Sequence, residues 1–451
     1  MRDLYMYPLT GTSFRHAFMY KLMLALQGTC VMRYMQRKLI KEHMLASRSI
    51  KAYQELYRSI PPNERTFDSL PAINKQSFHI NFPEIRDRLP RTCTDEEYAL
   101  LQIMKTSGST TGHPSAIPIA AEDIQYLQNY YQLLAKISDG IMPVVYKYLN
   151  MFPISTSSTG IFSELVVPPN HRLGRSDTSP EKTVQIIRQS GILTTETKLG
   201  IGGLPILHLQ LLEYLQINNA NDILRYLKLH GICVYGGESP TLVERLQLSR
   251  YYGQLMSIYG STEQSPRLGF SLEPNLIFDI ALTIPSIRSK LTKDTRQEVS
   301  EAAPMPPISF FFDKYLHNYE IIDGSLVDTP FVQQAELKIR WDQEDMCEIV
   351  DPNTVIRVIE QNQMDLLKEI IKIDKEYHTN IKEMFRDLMA GRYNKLAKYY
   401  GLILMYGRKG IIFGGANLDN KFVEIVFDEL KYYTDSVVHL ALYRPEEIIA
   451  R

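Results

Sequence analysis

Long apolar runs are missing from this sequence. A membrane-spanning helix needs about 20 consecutive apolar residues, and the best candidate, Leu22–Met32, is far shorter and is closed at its ends by Lys21 and Arg33. No transmembrane segment is therefore expected. Cysteine is scarce as well. Cys30, Cys93, Cys233 and Cys347 stand far apart, with no Cys-x-x-Cys pair and no Cys/His cluster. That spacing argues against a zinc site and for free thiols in a reducing compartment, so a cytoplasmic protein is expected. Neither sign of charge is in surplus: 50 Lys and Arg stand against 51 Asp and Glu, a net charge of −1, and no global field favours nucleic acid or an acidic partner. Hydrophobic residues at 44% and charged residues at 22% are ordinary for a soluble globular protein. With 451 residues, the chain is too long for one small core, and two or three domains are expected.

The balance of charge breaks down in one place. Between Asp3 and Glu42 there is no acidic residue, whereas Arg15, Lys21, Arg33, Arg37, Lys38 and Lys41 are basic. Such a segment suits a targeting sequence, a membrane-surface helix, or a helix packed on the main domain. Apolar residues at helical spacing (Phe18, Leu22, Leu24, Leu26, Val31) favour the last.

The stretch Lys105-Thr106-Ser107-Gly108-Ser109-Thr110-Thr111-Gly112-His113-Pro114 is the richest in chemistry. Glycine lets backbone approach a ligand closely, each hydroxyl adds a donor, and successive free N–H groups form a concave anion site. The flanks Tyr98–Met104 and Ser115–Ala120 both read as strands, so the loop joins two strands and opens no helix. That spacing is neither a P-loop nor a Rossmann turn. The alternative is an ordinary hydroxyl-rich hairpin loop.

Downstream, Glu122–Ile137 puts Ile124, Leu127, Tyr130, Tyr131 and Leu134 on one helical face. A second hydroxyl run, Ser155–Gly160, follows. Leu199–Pro205 reads as a strand and turn before a helix. Between Asp222 and Tyr259 helices alternate with short apolar strands, the rhythm of parallel βα units, and the fold class is α/β. Gly236-Gly237-Glu238 and Tyr259-Gly260-Ser261-Thr262-Glu263 end two such strands, where open α/β sheets bind ligands. Met305–Ile349 alternates as antiparallel strands. Val355–Lys398 reads as one or two amphipathic helices broken near Gly391, by default a solvated hairpin on the surface. Leu402 onward returns to strands around Gly407-Arg408 and Gly414-Gly415, then a helix at Asn420–Tyr433 and a strand at Ser436–Tyr443.

In order and wording, the hydroxyl loop, Tyr235-Gly236-Gly237-Glu238, Tyr259–Glu263 and Arg340-Trp341-x-x-x-Asp345 with Gly407-Arg408 resemble the adenylate-forming (AMP-binding) superfamily. The nearest look is the phenylacetate–coenzyme A ligase branch. The resemblance runs from about Tyr53 to Glu424. It implies ATP-dependent activation of a small organic or aromatic carboxylic acid, with Mg²⁺, followed by transfer to coenzyme A. The alternatives are transfer to an acyl-acceptor protein or amine, or a nucleotide-binding protein without catalysis that uses the 355–398 helices to hold a partner. It also implies roles for residues. Thr106, Ser107, Gly108, Ser109, Thr110, Thr111 and Gly112 would cradle the β- and γ-phosphates. Thr262 would touch the α-phosphate and Glu263 would hold Mg²⁺. Gly236, Gly237 and Glu238 would border the adenine, Tyr259 and Gly260 would line it with the Tyr259 ring stacked, Asp345 would accept from both ribose hydroxyls, and Arg408 would reach ribose or phosphate.

Departures accompany the likeness. Three hydroxyl residues lie between the loop glycines where the family commonly has two. Ser115 stands where many members carry lysine, a cation that Lys105 could replace. A long helical segment separates Asp345 from Arg408, and no Gly-Lys phrase follows Glu424. The expected organisation is a large AMP-binding domain over 1–350 with N-terminal helices over 1–60, a helical insertion over 351–400, and a shortened α+β C-terminal lid over 401–451.

Overall fold

The computed structural model describes residues 5–106, 115–137, 142–153, 158–237, 240–261, 265–292, 306–331, 335–408, 411–413 and 416–418. Two helices, α1 (Phe14–Ala25) and α2 (Cys30–Ser47), come first. The Thr29 hydroxyl caps α2 by accepting from Met32 N. A two-stranded antiparallel ladder follows, β1 (Gln102–Lys105) against β2 (Ala116–Ile119), in which Lys105 stands opposite Ala116. The strand starts later than its apolar pattern suggests. Tyr98 belongs to a helical turn, Asp95–Ala99, fixed by a capping box in which Thr94 and Glu97 satisfy each other's backbone N–H.

Helix α3 (Ala121–Ile137) buries Leu127, Tyr130 and Leu134 and leads into a large sheet. Its first strands are β3 (Lys147–Asn150), β4 (Arg172–Arg175), β5 (Leu199–Gly203), β6 (Gly231–Gly236) and β7 (Gln254–Ser261). All five run parallel. Between them lie α4 (Ser158–Val166), α5 (Pro180–Gln189), α6 (Pro205–Ile217), α7 (Asn221–His230) and α8 (Leu242–Tyr251). β6 is buried throughout: Cys233 and Tyr235 pack with Leu207, Leu211 and Leu227 on one face, and Ile232 and Val234 face the opposite core. Cover on both faces is what a parallel sheet requires.

Direction then reverses. β8 (Ser265–Ser271), β9 (Ile308–Phe312), β10 (His317–Ile322), β11 (Ser325–Pro330), β12 (Trp341–Val350) and β13 (Gly401–Arg408) extend the sheet antiparallel. Its eleven strands run in the order β10-β11-β12-β13-β9-β8-β7-β6-β5-β3-β4. β13 thus lies inside the main sheet, between β9 and β12. A short ladder of β14 (Ile411–Phe413) and β15 (Ala416–Leu418) follows.

Six further helices pack beside this half: α9 (Glu273–Thr283), α10 (Pro285–Leu291), α11 (Pro352–Gln361), α12 (Gln363–Tyr377), α13 (Ile381–Met389) and α14 (Asn394–Tyr399). The last four replace the expected surface hairpin. Val355, Ile359, Leu366, Ile370, Ile381, Phe385 and Leu388 are buried and join the same core as Ile277, Ile280 and Ile287. The N-terminal helices differ from expectation in the opposite sense. Tyr20, Met23, Leu24, Met32, Met35 and Leu39 anchor them, but Phe18, Leu22 and Val31 face outward.

Candidate active site

The ends of β6 and β7 meet a hairpin arm from the antiparallel half. At the end of β6, Gly236 packs so closely that a Cβ would lie 2.7 Å from Ile258 O, and Gly237 turns the chain at φ +80°, a conformation that favours glycine. One strand over, Tyr259 donates its hydroxyl to Asp345 Oδ2 at 2.5 Å, and its ring packs against Phe310 with centroids 5.4 Å apart. Asp345 is buried, and directly opposite it in the β12–β13 ladder stands Arg408. Three residues that the sequence places in separate motifs, Tyr259, Asp345 and Arg408, are thereby brought to one locus. Gly260 sits beside them, where the β7–β8 register shifts between Tyr259 and Ser261.

The hydroxyl loop is held at its neck. Thr106 N donates to Ser115 O at 2.9 Å, and Thr106 Oγ1 accepts from Ser115 N at 2.9 Å. The same Thr106 oxygen accepts from Lys75 Nζ at 3.0 Å. Lys75 is buried, whereas Lys105 is exposed on β1. The cation standing at the loop is therefore Lys75, a residue that sequence reasoning passed over. Its signal was present, since it closes the phrase Leu70-Pro71-Ala72-Ile73-Asn74-Lys75, but that phrase reads equally well as a turn.

Behind the neck lies a buried ionic cluster. Glu336 faces Arg88 at 2.7 Å, His79 Nε2 at 2.7 Å and Lys338 Nζ. Burial alone would raise the Glu336 carboxyl; Lys338, His79 and Arg88 together hold it well below the usual carboxylate range. Burial, helped by Lys338, pulls His79 down to about 4, so its imidazole is neutral at neutral pH. One carboxylate thus meets two cations. Arg88 also donates to Ala116 O of β2 at 2.7 Å, and Ile73 pairs with the backbone around Trp341 at the start of β12. The segment between Ile73 and Arg88 therefore ties the loop's neck to the strand that carries Asp345.

The second hydroxyl run reaches the same edge of the sheet. Thr159 at the start of α4 lies 3.4 Å from where a Gly237 Cβ would stand, and Asn150 at the end of β3 donates to Gly160 O at 3.1 Å. Ser107, Gly108, Ser109, Thr110, Thr111, Gly112, Glu238, Thr262 and Glu263 lie outside the described residues, as do the Asn420–Tyr433 and Ser436–Tyr443 segments. Among the described residues, no group of His, Cys, Asp and Glu could hold a metal ion by itself.

No protein-family model matches the chain, and a search of curated proteins found no relative. Solved structures do match. An open conformation of 2-hydroxyisobutyryl-CoA ligase in complex with 2-HIB-AMP and CoA aligns with a TM-score of 0.54 at 12% identity, over 91% of this chain and 84% of that one. The same ligase in its thioesterification state gives 0.54 at 11% identity, and in its postadenylation state 0.52 at 12%; both cover 87% of this chain and 71% of the other. At such identities the likeness is one of backbone. It answers the superfamily resemblance drawn from the motifs without singling out the phenylacetate branch: this chain has the fold of the adenylate-forming ligases.

Proposed function

We propose that the protein activates a carboxylic acid with ATP, forming an acyl-adenylate and releasing pyrophosphate. The observation that carries this reading is the convergence of Tyr259, Asp345 and Arg408 near the C-terminal ends of the parallel strands, where open α/β sheets bind ligands. In the reaction, a carboxylate oxygen attacks the α-phosphorus and the bond to pyrophosphate breaks. Alignment and charge neutralisation do most of the work.

The residues divide those tasks. Asp345, buried, would accept from the ribose hydroxyls, and its bond from Tyr259 would fix the ring against which adenine stacks. Loop donors from Thr106 to Gly112 would hold the β- and γ-phosphates, with Lys75 supplying positive charge at the loop's base. Thr262 would meet the α-phosphate. Mg²⁺, a hard cation suited to carboxylate oxygen, would be held by Glu263 and would offset triphosphate charge. Gly236, Gly237 and Glu238 would shape the adenine slot, and Thr159 the neighbouring acyl side. Coenzyme A is the proposed acceptor, supported by the CoA that the 2-hydroxyisobutyryl-CoA ligase structures contain; an amine or protein acceptor is the second outcome to test. Because β13 pairs with both β9 and β12, we assign Gly401–Arg408 to the large domain and start the lid after Arg408.

ATP–pyrophosphate exchange with a panel of aromatic, aliphatic and amino acids tests the proposal. Exchange with one acid, abolished by Glu263→Gln and weakened by Asp345→Ala, is the expected result. Absence of exchange with every acid by a protein that still binds ATP would overturn it.

A further inference from the structure

The N-terminal helices present a surface that the proposed chemistry does not use. On α1, Phe14, Phe18 and Leu22 recur every four residues along one face and are exposed, Phe14 at 87% and Phe18 at 58%. The buried face of the same helix carries Tyr20, Met23 and Leu24, so the exposed rings are not an anchoring face turned outward. On α2, Val31 and Tyr34 begin an exposed stripe that continues through Lys38 and Lys41 to Leu45, with Arg33 and Arg37 beside it. No acidic residue lies anywhere from Tyr5 to Lys41, and Lys21, Arg33, Arg37, Lys38 and Lys41 make no ion pair among the described residues. In a chain of net charge −1, this concentration of basic residues is local.

From these observations we infer that α1 and α2 dock the protein on an anionic membrane surface. Aromatic and aliphatic side chains flanked by lysine and arginine are what an interfacial helix needs: rings enter the boundary between headgroups and acyl chains, while the long basic side chains reach anionic headgroups. Each basic residue near such a surface strengthens the attachment. Charge complementarity selects this occupant. A second copy of the chain would bring the same positive charge against itself, and an ordinary apolar partner would have no use for the basic residues. Among the described residues no helix is long and apolar enough to cross a membrane, so attachment would be peripheral and reversible.

The test uses the full chain and vesicles of phosphatidylcholine with or without phosphatidylserine, separated by sedimentation. Binding at least tenfold stronger to the phosphatidylserine vesicles, weakening as salt is raised, is expected. Phe14→Ser with Phe18→Ser should lose it, as should Arg33→Gln with Arg37→Gln, Lys38→Gln and Lys41→Gln; both sets alter only exposed side chains. A Phe18→Trp variant should shift its emission to the blue on binding, against the background of the one native tryptophan, the buried Trp341. Equal or absent binding to both vesicle types would overturn the inference. So would a stable dimer that the Phe14/Phe18 variant dissociates, since the face would then belong to a second copy.

Discussion

Lys75 is the side chain whose position matters most beyond the motifs themselves. Its Nζ donates to Thr106 at the base of the hydroxyl loop, and in the proposed reaction a preorganised cation there would act on charge that shifts as pyrophosphate leaves. Lys75→Met should therefore lower the rate of ATP–pyrophosphate exchange about 100-fold, roughly 2.7 kcal/mol, with a smaller change in KM for ATP. A rise in KM for ATP with the maximal rate unchanged would mean that Lys75 only supports binding. A second residue makes a prediction about stability. Burial lifts the Asp313 carboxyl to about 6, against the opposing bonds from Tyr20 and the Tyr315 N–H. The folded state then holds this proton more tightly than the unfolded chain does. The contribution is full below the unfolded value near 3.8 and is lost as pH rises through about 6. Asp313→Asn should remove about 3 kcal/mol of that dependence and make the protein more stable than the parent at pH 8, as read by urea denaturation at both ends of the range. The candidate site was legible at this scale as a set of phrases, because Gly236, Gly237, Tyr259 and Asp345 lie in short, locally spaced stretches. Lys75 was not, since its meaning depends on a partner 31 residues away.

Among the elements, β13 shows how backbone geometry sets the site. Its register with β12 shifts between Met346 and Cys347, and Gly407 adopts φ +118° just before Arg408 comes opposite Asp345. A Cβ at Gly407 would meet nothing within 4 Å, so the obstacle to another residue is conformational alone. Gly407→Ala should destabilise the fold by about 1–3 kcal/mol and raise KM for ATP, because the pairing of Arg408 with Asp345 would be disturbed. Thermal denaturation together with exchange kinetics checks both. Three of the parallel strands, β5, β6 and β7, were legible because short apolar runs alternate with amphipathic helices; β3 and β4, four residues each, were not. Helix α9 was not legible either: its sequence is mostly apolar and every residue from Pro274 to Leu282 is buried, Asn275 and Asp279 included, so no exposed polar face sets off a helical period. The stretch between Asp345 and Arg408 failed for a different reason. Its amphipathic pattern was plain, but a pattern does not say whether the apolar face covers another helix or the main core.

For the molecule as a whole, that last point decides between two views of the 355–398 region. A detachable partner-binding hairpin could be removed without harm. Here Ile359, Ile370, Ile381 and Leu388 share a core with α9 and α10, and Tyr393 donates to Glu273 at 3.2 Å. Deletion of 355–398 should give an insoluble or molten product, with lost near-ultraviolet circular dichroism; a soluble, cooperatively folding deletion variant would refute this. The placement of β13 carries a consequence for how the chain is made. Strands β9 and β12 are both complete by Val350, yet each lacks a neighbour until Gly401–Arg408 has left the ribosome. Throughout that interval two strand edges stand open, a hazard for pairing with other nascent chains. The four helices translated in between fold from local contacts, and by covering the adjacent core they can shelter the gap until its last strand arrives.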